Sequence, residues 1–126
     1  MIMLDTSVLV DALTGNKASA AALIQVLAQG EQITLSSIVL YEWLRGPRSP
    51  AEVASQEALF PSSSTVFFNA ADARLGAEIY RSLKRARTRE AGIAIAATAI
   101  RHEAHLWTLN PKDFSDILGL SLWRPR

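Results

Sequence analysis

Three acidic residues stand where a carboxylate is costly unless it has a partner or a task. Asp5 directly follows the unbroken apolar run Met1-Ile2-Met3-Leu4 and precedes Thr6 and Ser7. Glu42 is flanked by Leu40, Tyr41, Trp43 and Leu44, large apolar neighbours for a residue that is ordinarily solvated. Asp113 ends the turn Asn110-Pro111-Lys112, just before Phe114. A simpler role exists for the first of them, since Asp5 can cap a helix that begins near Thr6 or Ser7. Brought together, the three carboxylates would repel one another and raise each other's pKa values unless a cation neutralised them, so such a pocket reads as a hard-cation site for magnesium or manganese. Thr6, Ser7, Thr108 and Asn110 add hydroxyl and amide oxygens to the set. Carboxylates that leave water on the metal suit hydrolysis of a phosphodiester, because the metal makes hydroxide available near neutral pH and stabilises charge building on the phosphate.

The rest of the chain must bring these groups to one place. Met1 to Leu4 reads as a strand buried on both faces, which puts Asp5 at its carboxyl end, the ligand-binding side of an open α/β sheet. A short helix to Leu13 follows, then a second from about Lys17 to Gln29 with an apolar stripe and Gly30 just past its end. Ile33 to Ser36 reads as a second strand, with Ser36 or Ser37 capping a helix from Ile38 to Arg45 that carries Glu42. Ser49-Pro50-Ala51-Glu52 has the cap, proline and glutamate of a helix start. Thr65 to Phe68 reads as a third strand, and Asn69 caps a long helix from Ala70 to about Arg87. Gly92 to Ile100 is apolar all round and belongs in the core or at an interface, and Trp43, read as exposed, suits a protein interface as well. His105 to Leu109 makes a fourth strand and Leu120 to Trp123 an edge strand. Alternating strands and helices predict one three-layer α/β/α domain over 1–126 with a mainly parallel sheet. If the first and fourth strands are neighbours, Asp5 meets Thr108, Asn110 and Asp113, with Glu42 above them.

Composition narrows the classes. The 126 residues are 49% hydrophobic and 20% charged, enough for one domain with a real core. With no cysteine and only His102 and His105, zinc chemistry and thiol nucleophiles drop out. No signal-like start and no membrane-length apolar run are present, so a cytoplasmic location is expected. The formal net charge is only +1, yet Arg81, Lys84, Arg85, Arg87 and Arg89 place five positive charges within nine residues. These either favour a helix C-terminus and solubility or form a footprint for the backbone of RNA.

Four ordered motifs carry a resemblance: hydrophobic-Asp-Thr-Ser at the start, Ser-Ser-x-x-x-x-Glu at Ser36 to Glu42, Ile-Ala-Ala-Thr-Ala at Ile95 to Ala99, and Leu-x-Thr-x-Asn-x-x-Asp-Phe at Leu106 to Phe114. Together they resemble the PIN-domain ribonucleases, VapC-like toxins most of all, over essentially the whole chain. The resemblance implies an endoribonuclease dependent on Mg2+ or Mn2+ that cuts structured RNA. It also implies a homodimer held inactive by a VapB-like antitoxin, with operator DNA bound only through that antitoxin. Asp5 and Glu42 match two family acids and Asp113 the acid before the Phe, while Asn110 stands where many PIN domains carry an Asp.

One departure bears on activity. The family's usual Asp, three residues before the Ile-Ala-Ala motif, is Gly92 here. Gly is acceptable at a helix start, but the cation loses a ligand. A toxin disabled at this position, still binding antitoxin, is therefore the second reading. Glu90 offers a shifted ligand, although helix geometry turns it about 200° away from position 92. A non-enzymatic signalling or interaction module, with Asp5 as phospho-acceptor, is a third; it lacks a clear Lys at a strand end.

Overall fold

A computed structural model describes residues 1–125. Its sheet has four strands, β1 (Ile2–Leu4), β2 (Ile33–Thr34), β3 (His105–Trp107) and β4 (Ser121–Trp123), in the order β2-β1-β3-β4 with every pair parallel. Successive strand residues point to opposite faces, and Ile2, Met3 and Leu4 are 2%, 0% and 0% exposed, so both faces of the sheet are covered around β1. The expected neighbours are therefore neighbours. Leu4 pairs with Trp107, and this register sets Asp5 beside Thr108 just past the two strand ends.

Among the described residues six α-helices supply the cover: α1 (Thr6–Leu13), α2 (Ala20–Ala28), α3 (Ser37–Arg45), α4 (Pro50–Leu59), α5 (Ala70–Ser82) and α6 (Glu90–Arg101). Their starts follow the local chemistry. Ser36 accepts the Val39 N–H at 3.1 Å, and Ser49 with Glu52, like Asn69 with Asp72, forms a complete capping box. Ser49→Ala removes one such cap and is expected to lower stability by about 1 kcal/mol, read as a shifted urea midpoint with an unchanged slope. Gly30, at φ +82°, closes α2 as its spacing implied. In α6, Ile93, Ile95, Ala96, Ala97, Thr98 and Ala99 are all buried, so this helix is core.

Several expectations are corrected. Thr65 to Phe68 is not a strand of the sheet: Val66 makes one isolated parallel bridge to Ser36, and the Ser37 hydroxyl takes the Phe68 N–H at 3.1 Å, while Phe67 lies in solvent. The helix expected to run from Ala70 to Arg87 stops at Ser82, whose hydroxyl bonds back to the Ile79 carbonyl; Leu83 is extended and Arg85 is left-handed at φ +57°. That break lets Ala86 enter the core and opens a short 3-10 turn over Ala86–Arg89. The second helix begins at Ala20 rather than Lys17, because Lys17 has φ +51° and Ser19 bonds the Asp11 carboxylate instead. Trp43 is fully buried on the same face of α3 as Val39, with the Arg48 guanidinium over its ring, and offers no surface to a partner.

Candidate active site

Asp5 occupies the N-cap position of α1, yet its side chain makes no capping bond. Its Oδ2 instead accepts the Ser7 hydroxyl at 2.8 Å and the Thr108 hydroxyl at 2.7 Å. Both hydroxyls are themselves aimed by the backbone: the Leu109 N–H donates to Ser7 Oγ and the Asn110 N–H to Thr108 Oγ1, each at 3.1 Å. Every donor on this side is committed to one carboxylate oxygen. A group only 8% exposed is thereby oriented without closing it off. The β1–β3 register makes this arrangement possible, since it brings residues 5 and 108 together from opposite ends of the chain.

Glu42 is held over the same place by α3. Thr6, the first residue of α1, donates its hydroxyl to Glu42 Oε1 at 2.6 Å, and Arg45 lies 3.5 Å from Oε2. The adjacent hydroxyls of Thr6 and Ser7 therefore serve two different acids. Asp5, Glu42, Gly92, Asn110 and Asp113 line one cleft of about 330 Å³.

The opposite wall is built by α6 and the turn after β3. Asp113 ends a three-residue 3-10 turn, Pro111–Asp113. Phe114 beside it is buried, and a Cβ on Gly92 would stand 3.5 and 3.6 Å from its ring, ordinary contact. Arg89 forks onto Asp116, with Nη1 at 2.8 Å from Oδ2 and Nη2 at 2.6 Å from Oδ1. This hydrogen-bonded pairing with Arg89 holds the Asp116 carboxyl below its ordinary range. A lowered carboxyl pKa means the fork contributes stability above the usual carboxylate pKa, so it is intact at neutral pH and is lost only as acid protonates Asp116.

The donor set is all oxygen, the class that hard dications take. It is nonetheless an open set: among the described residues no three of His, Cys, Asp and Glu stand close enough to hold a metal ion together. The expected convergence of three carboxylates is thus a shared cleft rather than a closed cage, with Gly92 in its lining. Glu90 does not join the cleft, because it lines a separate groove with Tyr80 and Arg81. Arg81, Lys84, Arg85 and Arg87 are exposed, as an electrostatic footprint needs, whereas Arg89 turns inward. Asp116 and the seating of Phe114 on Gly92 were not expected; Arg89 and Asp116 are 27 positions apart and no local spacing signals the pair.

Comparison with known proteins agrees with the fold. Residues 2–118 match the PIN domain. Ribonuclease VapC19 of Mycobacterium tuberculosis is 36% identical over 119 residues, covering 90% of this chain and 92% of that protein. VapBC2 from Rickettsia felis, bound to a DNA fragment from their promoter, superposes with a TM-score of 0.72 at 25% identity, covering 98% of this chain and 100% of that one. A toxin-antitoxin complex from Klebsiella pneumoniae gives 0.72 at 25% identity, with 100% and 98% covered.

Proposed function

Because the chain belongs to the PIN-domain family, we propose that it is an endoribonuclease toxin of the VapC kind, dependent on Mg2+ or Mn2+ and neutralised by a VapB-like antitoxin. The observation that carries this reading is the treatment of Asp5: it stands where a cap would stand, makes no cap bond, and is aimed into a cleft by Ser7 and Thr108. The similarity to a VapC ribonuclease and to VapBC complexes supports both the activity and the partner.

Asp5 and Glu42, with Asp113 across the cleft, are the residues that would hold the cation. When bound, the metal supplies Lewis acidity for water activation and for charge developing at phosphorus. The chain's own groups do the rest. Thr6 orients Glu42 and Ser7 orients Asp5, each acid held by its own hydroxyl, and Thr108 fixes which Asp5 oxygen is left for the cleft. Arg81, Lys84, Arg85 and Arg87 hold the RNA backbone by charge. Hydrolysis adds water across one phosphodiester P–O bond and releases two RNA ends.

Ser7→Ala removes one charge-assisted hydrogen bond from Asp5 and leaves the Leu109 N–H without its acceptor. Cleavage is expected to fall about tenfold with a melting temperature changed by only a few degrees. A Ser7→Ala variant that cleaves at the parent rate would show that Asp5 orientation does not matter.

A second reading is favoured by the absence of a three-acid cluster among the described residues. In it, Gly92 leaves the toxin unable to cut while antitoxin binding persists. Coexpression with the product of a small overlapping upstream reading frame tests the shared part of both readings. Both readings predict a stable complex; no complex would remove the toxin assignment. A homodimer, if formed, uses neither Trp43 nor the buried face of α6. Tyr41 and Leu44, exposed on α3, remain available. Sedimentation of the purified chain at high concentration decides it, and a strict monomer would end the dimer proposal.

A further inference from the structure

We propose that Arg89 is a positioning residue for the Asp113 wall of the cleft and not a contact for RNA. The proposal rests on reading the cleft as a cation site. Asp113 sits at the end of a 3-10 turn of three residues, and among the described residues its side chain has no hydrogen bond or ion pair that could fix it. What holds the segment is its backbone. Arg89 Nη2 donates to the Asp113 carbonyl at 2.5 Å while the same guanidinium makes its two-point fork to Asp116. The planar fork matches both acceptors at once, which a lysine ammonium cannot do.

The side chain of Arg89 is 19% exposed, whereas Arg85 and Arg87, close by in sequence, lie in solvent. Both of its terminal nitrogens already face protein acceptors, so little is left for a phosphate. Arg89 immediately precedes α6 and stands three residues before Gly92, against which Phe114 packs. Two anchors therefore pin the segment that carries Asp113 to the start of the helix that forms the other wall: the fork and the Phe114 ring. Releasing the first leaves Asp113 free to move away from Asp5 and Glu42. Groups that orient metal ligands without touching the metal act in this way.

The opposite charges of Arg89 and Asp116 give a test with contrary signs. Full-length protein, Arg89→Ala, Asp116→Asn and the exchange Arg89→Asp with Asp116→Arg are compared. Free Mn2+ is followed by electron paramagnetic resonance, labelled RNA by fluorescence anisotropy in chelator, and the 110–117 segment by hydrogen exchange. Both single variants are expected to bind Mn2+ about tenfold more weakly. They should also exchange faster over 110–117, bind RNA within about twofold of the parent, and be largely rescued by the exchange. Asp116→Asn is isosteric and guards against a misfolded Arg89→Ala. If Arg89→Ala weakens RNA binding while Asp116→Asn strengthens it, with Mn2+ affinity and exchange unchanged, Arg89 is an RNA contact and the proposal is overturned. Should the parent bind no Mn2+, the cation reading fails, and exchange over 110–117 still decides the clamp: faster in both variants supports it, unchanged in both removes it.

Discussion

Asp5→Asn is expected to lower RNA cleavage by about a thousandfold or more, roughly 4 kcal/mol of transition-state stabilisation at ~1.4 kcal/mol per tenfold. The substitution is chosen for what it preserves. The amide oxygen of Asn can still accept the Ser7 and Thr108 hydroxyls, now made at 2.8 and 2.7 Å, so the local network survives. What changes is the other half of the group: an NH2 donor replaces the oxygen left for the cleft, and the charge is gone. Stability should shift by no more than about 1 kcal/mol, because a buried carboxylate has become a neutral isostere with its partners kept. Cleavage of labelled RNA with Mn2+, beside a thermal melt, checks both halves. Were Asp5 a helix cap and nothing more, the cleavage rate would hold, since Asn caps a helix about as well as Asp.

The second large effect is a gain. Gly92→Asp is expected to raise both Mn2+ affinity and cleavage by about tenfold or more, since hard-cation binding follows ligand charge and count. The site can take the side chain: a Cβ there meets the Phe114 ring at 3.5 Å, a normal contact, and position 92 lies in the first turn of α6. An acid in the first turn is favoured by ~0.3–1 kcal/mol through the helix dipole. Losing a helical glycine adds roughly 0.5–1 kcal/mol. Against these stands repulsion from Asp5 and Glu42 across the cleft, which the cation relieves. Mn2+ should accordingly raise the melting temperature of Gly92→Asp more than that of the parent. Equal, chelator-sensitive cleavage by both proteins would show that the missing acid does not limit activity.

Much of this site was legible because its signals are local. An apolar run ending in Asp-Thr-Ser marks a strand end and a helix start, and Ser49 with Glu52 or Asn69 with Asp72 announces its helix within four residues. The parallel sheet followed from alternating elements, whereas the meeting of residues 5 and 108 needed the first and fourth strands to be assumed neighbours. What failed depended on tertiary context. Thr65 to Phe68 has strand composition, yet the Ser37 hydroxyl intercepts a backbone donor and leaves a single bridge. The helix after Asn69 has helical composition beyond Ser82, but the chain turns away to bury Ala86. Trp43 looked suited to an interface because its burial depends on what packs over α3, which no spacing within α3 records. Arg89 was grouped with the other basic residues by sequence proximity, whereas its structural role is set by Asp116 on a distant turn. Gly92 was visible only by resemblance; the structure adds that it lines the same cleft as Asp5 and Glu42.

The most direct test of the cleft as a cation-dependent RNA-cleaving site is one assay on three proteins: the chain itself, Gly92→Asp, and Gly92→Asp combined with Asp5→Asn, each with Mn2+ and again with excess chelator. A cation-dependent site predicts that Gly92→Asp cleaves RNA most rapidly, that chelator stops it, and that adding Asp5→Asn abolishes it. Cleavage that survives both chelator and Asp5→Asn, or a Gly92→Asp protein that never cuts, would contradict it.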